Sequence, residues 1–117
     1  MANFTDEGEV YVNEIIFEGS TSGDLYLRLF TNDVDPSAES LTLTDLTECT
    51  GSGYSPITLT DGNWSGGNPT SYAEQTFKAT ADDWSDVYGY YIASSSDDTG
   101  KLLTGEQFSD APVPVSD

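Results

Sequence analysis

"GDLYLRLFTNDVDP", residues 23–36, decides the fold. From Leu25 to Phe30 the residue types alternate with the two-residue period of a β-strand. Leu25, Leu27 and Leu29 take one side, and Tyr26, Arg28 and Phe30 take the other. Both sides are bulky and largely apolar, so this strand reads as covered on both faces. The leucines suit the space between two sheets, and Tyr26 and Phe30 suit a cover made by the N-terminal segment or a neighbouring subunit. Arg28 is expected between those two aromatics, stacked on a ring or paired with an acid. The polar stretch 32–40 then forms a loop, and Pro36 stops any extension because it cannot donate to a ladder.

Working outward, "DEGEVYVNEIIFEGS" (6–20) fits two patterns. Val10, Val12, Glu14 and Ile16 alternate as in a strand, whereas Tyr11–Ile15 and Val12–Ile16 are i,i+4 pairs of a helix. The helix is preferred: Asp6 can cap it, the early acids complement its dipole and Gly19 can close it. "LTLTDLTEC" (41–49) reads as a strand or an irregular crossing segment, "ITLT" (57–60) as a short strand, and "DGNWSGGNP" (61–69) as a turn-rich link. "SYAEQTFKATA" (71–81) alternates again. "DVYGYYIAS" (86–94) and "KLLTGEQFS" (101–109) read as strands joined by the hairpin turn "SSDDTG", where Gly100 can supply a positive φ. Short strands with turn signals every eight to twelve residues, and at most one helix, predict a mainly β fold. The expected architecture is an antiparallel β-sandwich or partly closed barrel with one short N-terminal helix. Residues 1–110 form a single domain, and "DAPVPVSD" leaves 111–117 as an extended, proline-containing tail.

The chain has 117 residues, enough for one core without metal or disulfide staples. Its hydrophobic fraction is 36% and its aromatic fraction 12%, which suits a thin β core better than a helical bundle. Three basic residues (Arg28, Lys78, Lys101) face 21 acidic ones, a net charge of −18. Eleven acids lie in residues 1–50 and ten in 51–117, so the charge is spread over the whole surface. Binding to nucleic acid is excluded, because affinity for phosphate comes from Lys and Arg. Anionic membranes are disfavoured for the same reason, and no apolar run approaches the ~20 residues of a membrane span. "MANFTDEGEV" lacks the basic and apolar regions of a signal peptide, so synthesis and folding in a cytoplasm are expected.

Chemistry is sparse. There is no histidine, the commonest general base and metal ligand. The single cysteine, Cys49, reads as a buried, inert thiol. "GSG" at 51–53 lacks the Lys and helix of a phosphate loop. Asp33, Asp35, Asp61, Asp82, Asp83, Asp97 and Asp98 fall in turns, where solvation leaves carboxylates ordinary, so a paired-acid hydrolase is not supported. Asn32, Asp33, Asp35 and Glu39 could face a Ca²⁺ ion, but the loop lacks the glycine and closing glutamate of an EF-hand. No cofactor, metal or catalytic residue is assigned. The aromatic residues serve the core first, a protein interface second and a sugar-stacking platform third.

Several strings together are similar to a group of small structural proteins of tailed bacteriophages. They are "LYLRLFTNDVDP", "LTECTGSGYSPITLTDGNW", "AEQTFKATA", "VYGYYIAS" and "LLTGEQFSD", with an E-x-x-G-x-G-Y pattern at Glu48, Gly51, Gly53 and Tyr54. The likeness covers roughly residues 8–110. It implies a β-sandwich-like virion component and favours a helix at the N-terminus. Such chains are expected to end in a further strand, where this one ends in "PVPVSD", so the last sheet edge is expected to be open or completed by a neighbour. The function so implied is a non-enzymatic capsid decoration (cement) protein on the outside of the virion, assembled in the host cytoplasm. Its partners would be the major capsid protein and sister copies, as a dimer or trimer. A tail, baseplate or fibre adaptor is the alternative, followed by a glycan-binding adhesion module. By residue type, the interface candidates are Tyr11, Phe17, Trp64, Trp84 and Tyr91.

Overall fold

In the computed structural model, residues 4–19, 23–36, 38–66 and 71–117 are described. Residues 1–3, 20–22, 37 and 67–70 lie outside them, and with these the end of the 6–20 segment and the last three residues of the 61–69 link. The alternating stretch at Leu25 forms β1 (Leu25–Phe30). Helix α1 (Asp6–Ile16) precedes it; β2 (Ile57–Leu59), β3 (Gly89–Ala93) and β4 (Leu102–Gln107) follow. All four strands join one antiparallel sheet in the order β2-β1-β3-β4. The fold is therefore mainly β with one short N-terminal helix, and its sheet is not closed.

Each face of this sheet has its own core. Arg28 pairs with Tyr91 and Tyr26 with Ala93 across β1 and β3, so they share a face with Phe30. There Phe30, Tyr91, Ala93 and Leu102 pack against Leu43 and Leu46. On the opposite face Leu29 packs with Cys49, Ala79, Trp84 and Val87. The cover on both sides comes mostly from irregular segments. Residues 41–49 cross the first face through a 3-10 turn at Leu43–Asp45, and Glu48 then bridges to Phe30. Residues 71–81, despite their alternation, form no strand beyond the single Ser65–Ser71 bridge. Their backbone is held point by point instead, as where Thr80 N donates to Ser52 O at 3.0 Å. Between Val87 and Val113 two backbone hydrogen bonds of 2.9 and 2.8 Å hold the 111–117 stretch, and Val115 packs on the second core.

Helix α1 is capped by Thr5 rather than Asp6. The Thr5 hydroxyl accepts from Gly8 N at 3.0 Å and donates to Leu102 O, while Thr5 N donates to Leu103 O at 3.0 Å. A hydroxyl oxygen can accept and donate at once; an ionised aspartate, which only accepts, could not make the bond to Leu102. Glu7 Oε1 adds a second tie, accepting from Leu43 N at 3.0 Å and Leu102 N at 2.9 Å. The hairpin turn differs from expectation at Gly100, whose φ is not positive. Glycine is needed there for room, since a Cβ would sit 2.5 Å from both Ser94 Oγ and Ser95 Oγ.

Gly8 is the point of closest approach between α1 and β4. A Cβ there would lie 2.5 Å from Leu103 O and 2.8 Å from Leu103 Cα. In an isolated helix Gly→Ala stabilises by about 1 kcal/mol. Here the strand backbone cannot move aside, and overpacking of this kind costs about 1–3 kcal/mol. Gly8→Ala is therefore expected to lower stability in urea unfolding and to speed hydrogen exchange across α1; a more stable variant would show that the helix is not held tightly against β4.

Candidate functional site

The most highly connected polar group is Arg28, 1% exposed in the middle of β1. Strand alternation sends its side chain into the first core, where a lone cation would be prohibitively costly. Three oxygens surround it: Glu48 Oε1 at 2.7 Å, Asp98 Oδ1 at 2.9 Å and the Asp97 carbonyl at 2.9 Å. The guanidinium carbon stands 4.9 Å from the centre of the Tyr91 ring. The expectation of stacking or acid pairing holds in both respects, but the ring is Tyr91 from the neighbouring strand, directly opposite Arg28. Tyr26 and Phe30 flank Arg28 on the same face of β1.

Glu48 also accepts from Tyr54 Oη at 2.7 Å, and Tyr54 Oη accepts from Leu29 N at 3.1 Å. The ends of the E-x-x-G-x-G-Y pattern thus meet, and between them the ring of Trp84 lies on Gly51. Trp84 Nε1 donates to Ser52 O at 2.8 Å, and its ring meets Tyr54 edge-on at 5.6 Å. Tyr54 in turn stacks on Phe77. Burial pulls the Arg28 pKa down, but hydrogen bonds to Glu48 and Asp98 outweigh it and hold the group above its ordinary value. Burial raises Tyr54 and Tyr91, with Glu48 adding to both. Cys49 is buried and free, and burial with the nearby Glu48 charge pushes its thiol up to about 11.

Two turn acids depart from ordinary behaviour. Backbone and hydroxyl hydrogen bonds from Ser52 hold Asp83 below the usual carboxylate value, and those from Thr99 do the same for Asp97. In the 32–39 loop, Asn32 bonds Asp45 O and Thr47 N, and Asp33 accepts from Gln107. These side chains brace the chain. Among the described residues no group of three or more Cys, Asp or Glu side chains is placed to hold a metal ion, no pocket opens, and no helix is long and apolar enough to cross a membrane.

The five interface candidates fall in different places. Tyr91 is fully buried and Trp84 nearly so, at 0% and 8% exposure. As the ring under Arg28 and the wedge on Gly51 they are core residues, which corrects their expected place at the surface. Trp64 is half-buried, edge-on to Tyr72 at 5.0 Å. Tyr11 is half-buried on α1, and Phe17, its C-cap, is 80% exposed. Beside Phe17, Ile16 is 65% exposed, and nearly two turns further back Val10 is 48% exposed. Ile16 and Val10 are missing from the candidates because typing by aromatic character overlooks aliphatic residues. The helical period carries the signal, since positions 10, 13 and 17 share a face. Among the described residues the exposed large hydrophobic side chains are thus Phe4, 51% exposed just before α1, and Val10, Ile16 and Phe17 on the helix and its C-cap, with the two most exposed at its C-terminal end. Comparison of the chain with family models, characterised proteins and solved structures gives no match.

Removing the guanidinium leaves Glu48 facing the core without its cation. Arg28→Ala is expected to cost about 3–5 kcal/mol in urea unfolding. Asp98→Asn, at a side chain 56% exposed, should cost under about 1 kcal/mol; equal losses would refute the central role of the Glu48 pair. A second expectation concerns alkali. Between pH 9, the ordinary thiol value, and about 11, the unfolded chain ionises Cys49 while the folded chain keeps its proton. The unfolded state then binds fewer protons, so stability falls as pH rises through this window, with Tyr54 and Tyr91 extending the loss above pH 10. Urea midpoints measured from pH 8 to 11 should fall, and Cys49 should resist a disulfide reagent at pH 8 until the chain is unfolded.

Proposed function

We propose that this chain is a non-enzymatic structural protein of a tailed-phage particle, bound to the outside of the head as a capsid decoration protein. The phage assignment rests on the likeness over residues 8–110. The observation that carries the mode of action is the exposed apolar end of α1, Ile16 and Phe17, on a body of net charge −18. An exposed apolar knob has a use when a partner covers it. The charge keeps the free protein soluble at high concentration and away from packaged DNA. Small contacts of this kind bind firmly when a lattice repeats them. The helix bearing the knob is fixed to β4 through Thr5, Gly8 and Glu7, so it meets a partner as a rigid projection.

The same features would serve a tail, baseplate or fibre adaptor, and copy number separates the two. Purified particles of the encoding phage are expected to contain this chain in numbers comparable to the major capsid protein, with its density on the head exterior. Mass spectrometry and cryo-electron microscopy read both quantities. Density confined to the tail would replace the decoration role with the adaptor role, and absence from mature particles would end the proposal.

A further inference from the structure

Two polar atoms of the first core have no hydrogen-bond partner among the described residues: Arg28 Nε and Tyr91 Oη. Both side chains are out of solvent, at 1% and 0% exposure. They also lie together, since Tyr91 is directly opposite Arg28 on β3 and its ring centre stands 4.9 Å from the guanidinium carbon. The other two guanidinium nitrogens are bonded to Glu48, Asp98 and the Asp97 carbonyl. A buried polar atom without a partner has given up its bond to solvent with nothing in exchange. Such atoms are rare, and two in contacting side chains call for a cause.

We propose that Arg28 Nε and Tyr91 Oη together hold one internal water molecule. Three features of the site select this ligand. It must accept a hydrogen bond, because an arginine N–H only donates, and it must suit a hydroxyl, which water does by donating or accepting. It must be neutral, because an anion would face Glu48 and Asp98, and a cation would face the guanidinium. It must be small: no pocket opens among the described residues, and a water takes up only about 30 Å³. The Glu48 oxygens are already engaged, Oε1 by Arg28 and Oε2 by Tyr54. Burial raises the Tyr91 pKa and the Arg28 charge opposes the rise, in keeping with a hydroxyl beside the guanidinium.

The water gives the Tyr91 hydroxyl a purpose. A phenylalanine ring would cover the guanidinium too, so the hydroxyl is of use at position 91 only when it has a partner. With the water in place, the cation is bonded through all three of its nitrogens, and β1 and β3 are joined through side chains as well as through their backbone ladder. The site belongs to the core and is independent of the role of the chain on a particle.

The test pairs a crystal structure of the full chain, at a resolution that shows ordered water, with urea unfolding of Tyr91→Phe. The crystal is expected to show a water oxygen about 2.7–3.2 Å from both Arg28 Nε and Tyr91 Oη. Tyr91→Phe keeps the ring and should lower the folding equilibrium constant about two- to tenfold, the loss that goes with one hydrogen-bonding partner. A direct bond between Nε and Oη, a bond from either atom to a carboxylate in place of the water, or a water touching only one of the two would overturn the proposal. So would a Tyr91→Phe variant at least as stable as the parent, which is the result for a hydroxyl buried without a partner.

Discussion

The structure depends on neutralising one buried cation. Arg28 sits at the centre of a central strand, where alternation drives its side chain into the core. Every oxygen that satisfies it comes from elsewhere in the chain: Glu48 from the crossing segment, Asp97 and Asp98 from the β3–β4 turn. Tyr91 covers it from the neighbouring strand. A buried charge adds little net stability over an apolar substitute, but it is very costly when left unpaired. It therefore penalises every arrangement in which the three segments do not converge. In a chain with few aliphatic residues and much irregular backbone, that penalty helps to single out one fold.

The second constraint is the attachment of α1. The hydroxyl of Thr5, the bare backbone of Gly8 and the carboxylate of Glu7 hold the N-terminal half of the helix to β4 and to Leu43. Its apolar C-terminal residues are thereby left outside. Tight docking at one end and exposure at the other follow from the same geometry. The sheet needs no cover from the outer side of α1, because the 41–49 segment and the second core already close its faces. Ile16 and Phe17 belong to neither core.

Much of this was legible in the residues. The period of two in "LYLRLF" marked β1 and its doubly covered faces, "VYGYYIAS" and "LLTGEQFS" marked the hairpin, and the i,i+4 pairs in 6–16 marked the helix. Arg28 announced a partner because a cation flanked by apolar neighbours on a strand must find one. The 71–81 segment misled. Its alternation is that of a strand, but a strand also needs a neighbour with free backbone groups, and these residues are held by scattered bonds to turns instead. Typing by aromatic character also failed at Trp84 and Tyr91, since a large ring fills a core and an interface equally well.

Local sequence determined the mainly β class, the short helix, the strongly acidic surface and the need of Arg28 for a counter-ion, because these follow from periodicity and charge along the chain. Tertiary structure alone decided which acids answer Arg28, that Thr5 rather than Asp6 caps α1, and that Tyr91 and Trp84 turn inward while Ile16 and Phe17 face out. Those choices depend on contacts between residues up to 98 positions apart, as in the bond from Thr5 N to Leu103 O. Nothing in the pattern of near neighbours encodes which distant backbone will come within hydrogen-bonding reach.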